Sequence, residues 1–365
     1  MVLYLLGLVT FVLIAWGWAI HRLRTRGRLV DPVGLPRPSW PSWMVPVFLI
    51  GYVSALIVGT SAWLAWVLDQ PPDAEDLPPQ LTIQASIAGN LAVMLVLGGL
   101  TLAIRFGRPA SRELGLDLDR RGFQRAVGVG VGGVLLVLPW VYAVGWMATW
   151  VWPETTHPLE EMLRERQDWT TLGLAILAGC VLAPLTEEWL FRGILLPMFT
   201  RWGCRVFTQA QAVADERGVQ DNQNLGSRES ESGGLGGPND SVTSSWVGAV
   251  VTREPATTGL DRERLEAGRG GPAFWIANVL VALLFAALHA TEWPAPVPIF
   301  VLALGLGEMA RQAGSVLAPI VAHVLFNANS VVLVIVTGAA SPDQVSGSPN
   351  ADPPAVVTSV ETLSG

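Results

Sequence analysis

The 365-residue sequence contains no lysine: all 23 basic residues are arginine, and no function follows from that. Charge of either sign is scarce. Only 15% of residues are charged and 51% are hydrophobic, where a soluble domain carries nearer a quarter charged residues. A short amphipathic period is missing too. Apolar residues come in long blocks, not every 3.6 or 2 positions, which argues against an ordinary soluble α/β core and for an integral membrane protein. Mean hydropathy, at +0.43, agrees. The net charge of −7 argues against nucleic acid as a partner. Cysteine is nearly absent. Cys180 and Cys204 fall 24 positions apart on one expected helix, about 36 Å, too far for a disulfide. Neither has a zinc-ligand neighbour, so both read as small apolar fillers or idle thiols. No internal repeat is visible.

What is present is a series of eight apolar blocks, at about 2–20, 44–69, 81–104, 125–152, 170–199, 273–290, 297–310 and 315–337. They predict an all-α polytopic membrane bundle of about eight transmembrane helices. The first block lacks a basic n-region and a cleavage site, and reads as a retained anchor. Loop charge orients the series. Residues 21–29 hold four arginines and the stretch after the third block is arginine-rich, whereas DQPPDAEDLP between them is acidic with no base. Basic loops face the cytoplasm, so the N-terminus is expected outside and residues 200–272 inside. The expected location is a bacterial inner membrane. Three parts are anticipated: four N-terminal helices over 1–169, a core over 170–337, and a disordered tail over 338–365. The core is interrupted at 208–271 by a polar stretch rich in Gly, Ser, Asn and Gln. Such a composition cannot offset its ordering entropy by burial, so a disordered cytoplasmic loop is expected, with at most a short strand or interfacial turn at 244–251.

Ionisable and amide side chains are few inside these blocks, and there they are costly. They form three helical pairs. In LTEEWLFRG, Glu188 and Arg192 are spaced i, i+4 and can neutralise each other. Glu187 lies about 100° around the helix and lacks that partner, which suits a general base or acid. In FAALH, Phe285 and His289 share a face; in HVLFN, His323 and Asn327 do. Each pair also has a bland reading, as a helix-stabilising ion pair, an interfacial histidine or interhelical hydrogen bonding, and Asn278 and Asn329 fit the last of these best. Of the other histidines, His21 and His157 fall in solvated loops. Two histidines, an unpaired carboxylate and an asparagine suffice for a water-activating site. Glu187, His289 and His323 would equally satisfy a metal ion, although the His-Glu-x-x-His motif of zinc proteases is absent.

The three motifs in this order, Glu-Glu-x-x-x-Arg, Phe-x-x-x-His and His-x-x-x-Asn, resemble the CPBP family of intramembrane endopeptidases, the CAAX-protease and bacteriocin-processing (Abi) group. The resemblance covers about 170–335 and extends to LFRGILLP and GSVLAPIVAH. It implies that Glu187 activates water with His289 as its partner. It implies that His323 and Asn327 stabilise an oxyanion or supply a second histidine, that Glu188 and Arg192 are a structural pair, and that Phe285 is the motif aromatic. The family has been read both as zinc-dependent and as glutamate-dependent, so the cofactor is either zinc or none. The implied substrate is a membrane-associated, in some members lipidated, protein or peptide. The chain departs from the family at 208–271, where members usually have a short loop; that insert would gate a cytoplasmic opening or bind a partner. Two alternatives remain, an inactive membrane scaffold or immunity-type protein of the same fold, and a transporter. One tension remains too. By the loop alternation His289 lies near the outer end of its block, His323 nearer the inner end of its own, and Glu187 mid-helix, so tilted or broken helices must bring them together.

Overall fold

The structure is a computed structural model that describes residues 2–36, 41–68, 77–104, 114–116, 118–152, 169–207, 209–210, 217 and 271–338. The expected disordered insert at 208–271, its strand or turn at 244–251, the tail beyond 338, His157 and the acidic stretch between the second and third blocks lie essentially outside these residues. The described residues are all-α. Eight helices follow one another: α1 (Val2–Arg26), α2 (Val45–Val67), α3 (Pro79–Ile104), α4 (Arg120–Val151), α5 (Trp169–Phe207), α6 (Pro272–Ala287), α7 (Pro296–Ala313) and α8 (Leu317–Gly338).

Six of the eight, α1 to α5 and α8, are long and apolar enough to cross a membrane. The expectation of about eight spans is thereby reduced, for two physical reasons. Helix α6 has 16 residues, about 24 Å, which falls short of the ~30 Å hydrocarbon core. Helix α7 carries Glu308 and Arg311, which pair at one of its ends. Helix α5, at 39 residues, is far longer than a span needs. Its run is interrupted by two π-helical segments, Ile176–Leu182 and Trp189–Leu195.

The helices alternate in direction between two chemically distinct ends. At one end lie Arg22, Arg24, Arg26, Arg28, Arg120, Arg121, Arg125, Arg201, Arg205 and Arg311. The segment after α1 closes this end. The amides of Val33 and Gly34 donate to the carbonyls of Gln312 and Arg311, and the Arg125 guanidinium reaches the carbonyls of Asp31 and Gln312. Asp119 caps α4 here, accepting from the Gly122 amide at 2.7 Å. Gly314, with φ of 68°, ends α7 in the left-handed conformation that suits glycine. The opposite end has no arginine among the described residues. It carries tryptophans instead: Trp66, Trp146, Trp150 and Trp169 are all exposed there, as residues that prefer the headgroup level are. Trp43, Trp202 and Trp275 form the matching belt at the arginine end.

Three cores hold the bundle; the smallest joins α3, α5 and α8 through Ile83, Ala178 and Val331, and the other two are larger. One joins α2 and α3 to α5, α6 and α7 through Phe48, Tyr52, Leu97, Phe191, Phe274 and Phe285. The other joins α4 to α7 and α8 through Val134, Leu138, Val141, Leu306 and Met309. The glycines at the start of α4 explain how the second is made. A Cβ on Gly130 would lie 2.6 Å from the Ala318 carbonyl oxygen, so the backbones of α4 and α8 approach too closely for any side chain. Small residues at such crossings replace the hydrophobic drive that lipid removes. Asn278 and Asn329 satisfy themselves between helices: the Asn278 amide donates to the Leu304 carbonyl at 3.0 Å, and Asn329 bonds the hydroxyls of Tyr4 and Tyr142.

Gly130 and Gly132 therefore separate packing from propensity. Gly130→Ala is expected to destabilise the protein by about 1–3 kcal/mol through overpacking. Gly132→Ala, whose Cβ would meet nothing within 4 Å, should be neutral or slightly stabilising. Unfolding midpoints in mixed micelles titrated with dodecyl sulfate check this, and equal midpoints for the two variants would refute the close approach.

Candidate active site

The three motifs converge. Glu187 and Glu188 come from the middle of α5, His289 from the turn after α6, and His323 and Asn327 from the first half of α8. Glu188 and Arg192 are wholly buried, and the Arg192 Nη1 donates to Glu188 Oε1 at 2.8 Å. The i, i+4 pairing expected of them is thus made, and it has a third member. The same Glu188 oxygen accepts from His323 Nδ1 at 2.8 Å. Glu188 therefore couples an arginine of its own helix to a histidine 135 positions away. Arg192 is further fixed by donating to the Ala303 carbonyl at 3.1 Å and by lying 4.5 Å from the centroid of the Phe285 ring, a cation–π contact. The role of Phe285 becomes visible here. Its ring lies 5.3 Å from that of His289 and 5.8 Å from that of His323, so it packs against the guanidinium and both imidazoles at once.

Glu187 points the other way from its neighbour. Its Oε2 lies 3.8 Å from His323 Nε2, so the carboxyl that had no partner within its helix finds one across the bundle. The hydrogen bonds assign the imidazole tautomers. His289 Nδ1 lies 3.0 Å from the Phe285 carbonyl; a carbonyl can only accept, so Nδ1 carries the hydrogen and Nε2 is the free nitrogen. His323 Nδ1 donates to Glu188 in the same way, which turns its Nε2 toward Glu187.

Asn327 is held by a feature of α5 that no motif search would find. Within the π-helical segment the Ala183 amide bonds Ala178, five residues back. The Gly179 carbonyl would then need the amide of residue 184, which is proline and has none. Asn327 Nδ2 supplies the missing donor at 2.6 Å. Its second hydrogen is left over.

Glu187, His289, His323 and Asn327 all line one cavity of about 400 Å³. Its remaining wall is largely apolar, with Ile299, Leu302, Phe326, Val331 and Val334, and Glu292 also faces it. The depth conflict among the motifs is thereby explained. Because α6 stops after 16 residues, the turn bearing His289 stands beside the same cavity as the middle of α5 and the first half of α8. Behind Glu187, Thr186 is fully buried and donates to Asn90 Oδ1 at 2.8 Å, which ties α5 to α3. The motifs hold no sign of Glu292, Thr186 or Asn90. Pro184, five residues after Gly179, is the one sequence signal that points to the Asn327 contact.

Among the described residues no group of three His, Cys, Asp or Glu side chains is arranged to hold a metal ion. The donor set that the sequence leaves open as a metal site does not fit one as it stands. Cys180 and Cys204 are both buried and are not joined by a disulfide, in keeping with their spacing.

An apolar helix bundle with six helices long enough to span a membrane defines an integral membrane protein, here with carboxylates and imidazoles around a cavity. Residues 169–214 and 242–329 match the family model described as type II CAAX prenyl endopeptidase Rce1-like. The chain carries a domain of that family, the CPBP/Abi group that the three motifs resemble. At the level of the family this implies protease activity within the membrane. No curated protein and no solved structure matches the chain.

The shared Glu188 oxygen makes a stability prediction. Arg192→Met leaves a buried carboxylate without its guanidinium and is expected to cost about 3–5 kcal/mol, while adding Glu188→Leu should restore most of the loss. Unfolding midpoints in mixed micelles report both. A single variant as stable as the wild type would show that the pair carries no weight.

Proposed function

We propose that the protein is an intramembrane endopeptidase that hydrolyses a peptide bond of a membrane-associated protein or peptide with water activated by Glu187 and His289, in the inner membrane of a bacterium. The observation that carries this reading is the shared cavity, in which a carboxylate, two imidazoles and an amide meet within otherwise apolar helices. Charge counting supports the assignment of roles. Glu187, Glu188 and Arg192 sum to −1 when ionised, and one further proton held in the Glu187–His323 contact brings the buried group to zero, the least costly state at membrane depth. With that proton on His323 Nε2, the imidazole donates into the cavity and Glu187 is the carboxylate that takes a proton from water.

The reaction follows from those states. A water bonded to Glu187 and to His289 Nε2 gives up a proton as its oxygen attacks the scissile carbonyl carbon. The oxygen of that carbonyl becomes an oxyanion and accepts from His323 Nε2–H and from the spare hydrogen of Asn327. As the C–N bond breaks, the proton taken from water passes to the leaving nitrogen, and the products are a carboxylic acid and an amine. Glu188 and Arg192 take no part in bond making. They hold His323 by its Nδ1 and keep it facing the water. Phe285 packs beside them against both imidazole rings.

The test compares purified wild type with Glu187→Gln and His289→Ala on a panel of membrane-anchored and lipidated peptides, with cleavage read by mass spectrometry. Each variant is expected to lose about 10²–10⁴-fold in rate, the usual contribution of general acid–base groups. Undiminished cleavage by both variants, with the fold intact by circular dichroism, would overturn the reading.

A further inference from the structure

The cavity has a direction. On α5 it is lined by Gly179, Cys180, Ala183 and Glu187, all on the N-terminal side of Glu188. On α8 its lining starts at His323 and runs C-terminally to Val334. On α7 it is confined to the first half of the helix, ending at Leu302, and beyond α6 it follows the turn through His289 and Glu292. Since α5 and α7 run toward the arginine end and α8 runs away from it, all of these residues lie on the same side of the Glu188–Arg192 pair. That side is the tryptophan end.

Toward the arginine end the way is shut. Immediately past the pair, Leu190, Phe191, Ile194, Leu195 and Leu196 of α5 are at most 1% exposed. They pack with Ala303 and Ala310 of α7 and with Phe274 of α6 into one core.

The two ends differ in sign as well. Ten arginines stand at the closed end, and no arginine stands at the open end among the described residues. The sequence between α2 and α3, which belongs to the open end, is acidic without a base, and the one between α4 and α5 has more acids than arginines. Positively charged flanks stay in the cytoplasm. We therefore infer that the cavity opens on the face of the membrane opposite the cytoplasm, and that the peptide bond it takes belongs to an exported or membrane-anchored chain arriving from that side, not to a cytoplasmic tail. That a peptide bond is taken rests on the proteolytic reading; the side of access stands without it. It also places both attachment points of the long insert, Phe207 and Gly271, at the closed end. The insert leaves and rejoins the bundle away from the opening.

The test is side-specific thiol labelling in the full chain with Cys180→Ser and Cys204→Ser. A reporter is placed in the cavity by Ser330→Cys, and a second at its mouth by Glu292→Cys. The control at the arginine end is Arg28→Cys, at a side chain that is 66% exposed. Right-side-out and inverted vesicles are treated with a membrane-impermeant cationic thiosulfonate. Remaining thiols are then counted with fluorescent maleimide after solubilisation. Ser330→Cys and Glu292→Cys are expected to be blocked at least tenfold faster in right-side-out vesicles, and Arg28→Cys at least tenfold faster in inverted ones. Faster blocking of both cavity reporters in inverted vesicles, or blocking from neither side, would overturn the inference. If Ser330→Cys fails to fold, Glu292→Cys alone decides. Because labelling needs no substrate, its result is independent of whether the protein cleaves peptides.

Discussion

The arrangement depends on one oxygen atom. Glu188 Oε1 accepts from both Arg192 and His323, and through it the charge within α5 is tied to the imidazole of α8. A buried carboxylate is tolerated only when it is paired and its hydrogen-bonding capacity is used. The arginine answers the first requirement and the histidine helps with the second. That double use leaves Glu187 turned to the opposite side, where it meets His323 Nε2 and a cavity. Two adjacent acids thus acquire different work because they sit about 100° apart on a helix.

The backbone is shaped around the same need. Helix α5 departs from α geometry on both sides of its glutamates, and π segments recur at functional sites. Here the departure has a specific consequence. It strands the Gly179 carbonyl opposite a proline that cannot donate, and Asn327 fills the gap. Asn327, for which the sequence leaves both chemistry and interhelical hydrogen bonding open, thus anchors α8 to α5. Helix α6 contributes by being short, since its early end carries the His289 turn to the cavity in a bundle whose other helices are mostly full spans.

The transmembrane frame and the site share their geometry. The helices outside the matched segments are not a passive enclosure. Helix α4 supplies the glycine surface against which α8 lies, and α2 and α3 close the side of α5 behind Glu187. Lipid faces the remaining surface, which accounts for exposed leucines, valines and tryptophans that would be a liability in a soluble protein. The arginines gather at one end and the opening of the cavity at the other, so the orientation of the protein and the accessibility of its site are a single property.

Much of this was legible in the sequence because the governing rules are local. Twenty-residue apolar blocks show where helices lie, i, i+4 spacing shows that Glu188 meets Arg192, and arginine asymmetry shows which ends point the same way. The motif residues themselves were named from their scarcity in lipid-facing sequence. Eight helices stand where eight apolar blocks are expected, but six are long and apolar enough to cross a membrane, because α6 ends after 16 residues and α7 carries a charge pair at its end. What only the tertiary structure decided were the long-range partners: His323 with Glu188 across 135 positions, Asn327 with Gly179 across 148, Thr186 with Asn90. Such contacts depend on tilt, helix length and the π segments. None of these leaves a periodic trace, so sequence alone shows which groups are costly in a membrane and the folded bundle shows what satisfies them.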